Sequence, residues 1–92
     1  MIASLFCECI FYEAQSLKDK RAVLQRILTR LRQRYNVSVA EIGYQDLWQR
    51  AEIAIVSVSS SRVACERELQ KALEMMDSFP EIERTITRME WY

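Results

Sequence analysis

The chain has 92 residues, half of them apolar, with thirteen basic and thirteen acidic side chains and no histidine. That suffices for one small domain spanning 1–92 with a single core, and excludes disorder. One glycine and one proline exclude a glycine-rich phosphate loop, and no apolar run reaches the ~18 residues of a membrane helix.

The N-terminus, MIASLFCEC, lacks the basic start of a signal peptide, and Glu8 interrupts its apolar run. A cytoplasmic location is expected. Residues 2–12 read as a strand with apolar groups on both faces: Ala3, Leu5, Cys7, Cys9 and Phe11 on one, Phe6, Ile10 and Tyr12 on the other. Cys7 and Cys9 read as small core residues, because no histidine and one further thiol, Cys65, leave a metal site short of ligands. No metal or cofactor is expected.

Ser16 followed by Asp19 resembles a capping box. A helix then runs to about residue 35, with Leu17, Leu24, Ile27, Leu28, Leu31 and Tyr35 as its apolar stripe. Asn36 suits its end. Residues 16–36 carry seven bases against Asp19 alone, while the remainder holds twelve acids and six bases. At 100° per residue Arg26, Arg30 and Arg34 form one basic row, and Lys18, Arg21 and Arg32 flank the other side of the stripe.

Val37–Tyr44 and Ala51–Val58 read as the arms of an antiparallel hairpin, with Gly43 marking a bulge. One of Ser59, Ser60 and Ser61 caps a second helix. Val63, Cys65, Leu69, Ala72, Leu73 and Met76 make its apolar face, and it ends near Pro80. Ile82–Tyr92 has strand composition, with charges suited to an edge. The order β-α-β-β-α-β predicts an α+β, ferredoxin-like sandwich: a four-stranded antiparallel sheet with two helices on one face. Its other face would hold Phe6, Ile10 and Tyr12, so a homodimer through that face or a sheet edge is expected.

The run from Ser16 to Ser60 closely resembles the YlxP-like proteins of bacteria, a family of unknown function. The matching blocks are Ser16–Arg21 (SLKDKR), Asn36–Glu41 (NVSVAE) and Asp46–Ala51 (DLWQRA). Cys7 and Cys9 stand where aliphatics are expected of the family. The resemblance implies a ferredoxin-like fold and no established activity. It also implies gene neighbourhoods holding translation factors, which favours a role near RNA or the ribosome.

Three candidate sites follow. The basic helix, through Lys18, Arg21, Arg26, Arg30, Arg32 and Arg34, suits RNA phosphates; it equally suits a solvated face or an acidic protein partner. The segment with Gln45, Asp46, Trp48, Gln49 and Arg50 reads as a hairpin corner or a recognition surface. In the corner reading Trp48 is buried, the two glutamines satisfy backbone groups, and Arg50 pairs with Asp46 or Glu52. Asp19, Glu41 and Asp46 are the available acids, but nothing sets two of them at a working distance, so no enzyme is expected. The leading expectation is a non-enzymatic binding protein near the translation machinery. The alternative is a protein-interaction or small-ligand regulatory domain.

Overall fold

A computed structural model describes residues 1–92. The first strand, β1 (Ile2–Ile10), buries Ala3, Leu5, Cys7 and Cys9 on one face; on the other face Ser4 alone is buried. The first helix, α1 (Leu17–Arg34), begins where Ser16 Oγ accepts the Asp19 N–H at 3.0 Å, and Asp19 Oδ2 accepts the Gln15 N–H at 3.0 Å. Each orphan amide of the first turn that finds an oxygen steadies the helix start. The helix ends at Tyr35, whose extended backbone turns the chain away. Asn36 does not close the helix as its composition suggests. Its N–H donates to Glu68 Oε1 at 3.0 Å, its side-chain amide to the Val58 carbonyl at 2.8 Å, and its own carbonyl accepts the Ser57 hydroxyl at 2.8 Å.

The hairpin follows as β2 (Ser38–Gly43) and β3 (Arg50–Val58), with a register shift between Glu41 and Gly43. Gly43 sits at that bulge, as expected, because a Cβ there would meet Glu52 Cβ at 3.1 Å. The second helix, α2 (Arg62–Asp77), is capped by Ser61, whose Oγ accepts the Ala64 N–H at 3.2 Å. It buries Cys65, Leu69, Ala72 and Met76. Val63 was expected inward and is exposed. It lies two residues, about 200°, from Cys65, and so falls opposite the buried stripe; Met75 takes a buried place instead. The last strand, β4 (Glu83–Trp91), carries a bulge that sets Thr85 and Ile86 against the single Glu8.

All pairings are antiparallel, in the order β2-β3-β1-β4. The longest pairings belong to β1, at the centre, and both helices pack on one face. This is the ferredoxin-like α+β arrangement the element order predicts. The core between sheet and helices includes Leu5, Ile53, Ile55, Ile27, Leu31 and Leu69. Each is worth about 1.5–3 kcal/mol of burial. The three cysteines are buried and free. Burial pushes the Cys9 thiol up to about 12, with the neighbouring Cys7 adding to it, so these sulfurs pack as small apolar groups.

Candidate functional site

The hairpin connection, residues 44–49, is organised by a side chain from another element. Lys20 is fully buried on the inner face of α1. Its Nζ donates to the carbonyls of Tyr44 and Arg50, each at 2.9 Å, with the Gln45 carbonyl at 3.4 Å. Glu41 Oε2 lies 3.0 Å from the same ammonium and has no other polar partner. One ammonium thus ties both ends of the connection to the helix. Tyr44 needs that restraint, because it adopts φ 58°, a left-handed backbone that costs a non-glycine residue about 1–2 kcal/mol.

Lys20 is one of the seven bases of residues 16–36 but belongs to neither basic row. The signal was present: Lys20 stands between Leu17 and Leu24 in the apolar stripe. Glu41 stands two residues after Val39 on the inward face of β2. A base and an acid, each at a core position of a different element, mark a buried pair.

The corner reading holds for the glutamines. Gln49 Nε2 donates to the Tyr12 and Ala14 carbonyls at 3.1 and 3.0 Å, and Gln45 Nε2 to the Glu41 carbonyl at 3.1 Å. It fails for Trp48, which is 54% exposed. The connection is pinned by Lys20 and Gln49, so no buried ring is needed to hold it. It fails also for Arg50, whose guanidinium forms no ion pair with Asp46 or Glu52 and lies 5.2 Å from the Tyr44 ring centre. Together Ile10, Leu47, Trp48, Gln49 and Arg50 line an open groove of about 420 Å³.

Of the six candidate bases on α1, one is neutralised. Arg26 donates to Glu81 at 2.6 Å, and this hydrogen bond holds the Glu81 carboxyl below its ordinary range. Arg30 lies over the Phe79 ring at 5.0 Å, and Arg32 donates to the Val39 carbonyl at 3.1 Å. Lys18, Arg21, Arg30, Arg32 and Arg34 have no carboxylate within 4 Å and are exposed.

The open sheet face differs from a bare apolar patch. Phe6 lies under the Arg88 guanidinium at 4.5 Å. Ile10 floors the groove, and the Tyr12 hydroxyl donates to Glu83. The Tyr44 hydroxyl donates to Glu8 at 2.9 Å. These acceptors raise both phenol pKa values, because an anion beside the hydroxyl disfavours phenolate. Glu8 and Glu52 are directly paired across β1 and β3.

The acids named as possible catalysts do not meet. Asp19 serves the α1 cap, Glu41 the Lys20 ammonium, and Asp46 lies exposed on the connection. No three Cys, Asp or Glu side chains are grouped to hold a metal ion, and no helix is long and apolar enough to cross a membrane.

Among solved structures the chain is similar to the De novo designed protein Foldit4. The TM-score is 0.57 and the identity 16%, covering 99% of this chain and 97% of that one; at that identity the likeness concerns fold alone. Among curated proteins it is 64% identical over 92 residues to the Uncharacterized protein YlxP of Bacillus subtilis (strain 168), with both chains covered in full. Over residues 2–89 it matches the family described as Protein of unknown function (DUF503), and with that full-length relative it belongs to this family.

Proposed function

We propose that the protein is a non-catalytic binding module whose α1 surface contacts RNA phosphates without reading sequence, in the setting of translation. The observation that carries this reading is the survival of five unneutralised bases, Lys18, Arg21, Arg30, Arg32 and Arg34, on one exposed helix. A face kept only for solvation mixes signs and pairs its charges; this one leaves five bases without a carboxylate partner. Lys and Arg on phosphates release counterions and give affinity that falls steeply with salt.

Charge reversal at Arg30, Arg32 and Arg34 tests it. Arg26 is left out because its loss would also break the Glu81 pair. Binding of a structured RNA at low salt should fall at least ~10-fold, with a shallower salt dependence. Unchanged retention would remove the reading. A homodimer belongs to the same proposal, supported by the exposed Ile2, Tyr12, Ile42 and Val58 along the open sheet.

A further inference from the structure

The groove beside Trp48 lies on the face opposite α1, and its surroundings have the opposite charge. Its floor, Ile10, is paired with Glu83 on β4 and Arg50 on β3. Two residues back on the same face is Glu8, directly opposite Glu52. Neighbours across a pair stand about 5 Å apart and along a strand about 7 Å, so Glu83 borders the floor, and Glu8 and Glu52 stand one step further along the same face. None of Glu8, Glu52 and Glu83 has a cation within 4 Å. Arg50 is the one base among them, and it lies against Tyr44. The walls are the exposed Leu47 and Trp48 side chains.

We propose that this groove docks a basic segment of a protein partner, seating an arginine side chain on the Trp48 indole with its guanidinium toward Glu83, Glu8 and Glu52. The fit is one of charge and shape. An arginine has an apolar stem for Ile10 and Leu47, a planar cation for an indole face, and donors for carboxylates. The same face already holds one cation this way: Arg88 lies over Phe6 at 4.5 Å while donating to Glu90 at 3.3 Å. A phosphate would meet three carboxylates against the one guanidinium of Arg50, so nucleic acid is disfavoured here. A second copy offering its basic α1 would make a head-to-tail contact, which builds rings or open chains rather than a two-fold dimer.

The test uses the Trp91→Phe variant, in which Trp48 is the remaining indole. It is titrated with a short peptide of alternating arginine and leucine and, separately, with a serine-leucine peptide and a short single-stranded RNA. The arginine peptide should change the Trp48 emission, and the serine peptide should not. In the otherwise native chain, Trp48→Ala and the pair Glu52→Gln with Glu83→Gln should each weaken arginine-peptide binding about 5-fold or more. Glu66→Gln with Glu74→Gln, on α2, should leave it unchanged. Equal weakening by the α2 pair would mean unspecific charge attraction and overturn the proposal. An emission change with RNA and none with the peptide would make the groove a nucleic-acid site and overturn it too. So would self-association abolished by charge reversal on α1, since the occupant would then be a second copy.

Discussion

Lys20 is a fully buried cation, and three elements meet at its ammonium. Replacing it with methionine keeps the stem and removes the charge. That strands the Glu41 carboxylate and frees the Tyr44 and Arg50 carbonyls. Breaking one half of a buried pair costs about 3–5 kcal/mol. Lys20→Met should therefore lower the urea-unfolding free energy by about 3 kcal/mol, and Glu41→Gln added to it should recover part of the loss. A loss below about 1 kcal/mol would show that water replaces the ammonium and that the clamp is dispensable. Trp48 gives the opposite expectation. Had the ring been buried, Trp48→Ala would cost about 3 kcal/mol; at 54% exposure the change should stay under about 1 kcal/mol. A larger loss by thermal unfolding would return Trp48 to a structural role. The two residues also show where sequence reading stops. Helical spacing located the stripe, but a lysine inside it entered only the charge count and was given no place. An indole between polar residues was left open between a buried corner and a recognition surface. In both cases the deciding contact is distant in the chain: Glu41 for Lys20, and for the connection the Tyr12 and Ala14 carbonyls that Gln49 bonds.

At the scale of elements the sequence was more informative, because caps, bulges and breakers act locally. Ser16, Ser61, Gly43 and Pro80 each mark the boundary or irregularity their chemistry demands, and strand alternation sorted Ala3 to Cys9 inward without any partner in view. How elements are tied to one another was not legible. Arg84 on β4 grips Asp77 at the end of α2 through two hydrogen bonds, at 2.9 and 2.8 Å, and Arg26 on α1 grips Glu81 in the turn between them. The arginine hydrogen bond holds each carboxyl below its ordinary value. A depressed carboxyl stabilises the fold above the unfolded pKa, near 4, and loses that contribution as pH falls through the lower folded value. Both sites are partly solvated, so each effect is modest. Denaturation midpoints followed from neutral pH to below 4 should fall in the wild type. They should fall less in a chain carrying Asp77→Asn and Glu81→Gln. Parallel curves would mean that other carboxyls carry the acid response.

For the whole molecule, the lopsided charge of residues 16–36 becomes two surfaces on opposite sides of one sheet. The α1 side keeps five unneutralised bases. The open sheet side carries Glu8, Glu52, Glu83 and Glu90 against Arg50 and Arg88. A dimer that pairs the open faces brings two net-negative surfaces together and must gain its stability from apolar contacts such as Tyr12 and Ile42. Salt screens that repulsion, so such a dimer should strengthen between low and moderate ionic strength. RNA held by α1 should weaken over the same range, because releasing the same counterions into a saltier solution gains less entropy. Sedimentation and RNA binding measured on one salt series therefore separate the two surfaces. If self-association weakens with salt as RNA binding does, the interface joins unlike charges, α1 of one copy against the open face of another. The same bases would then be claimed by protein and by RNA, and added RNA would dissolve the assembly; failure of RNA to do so would exclude that shared surface.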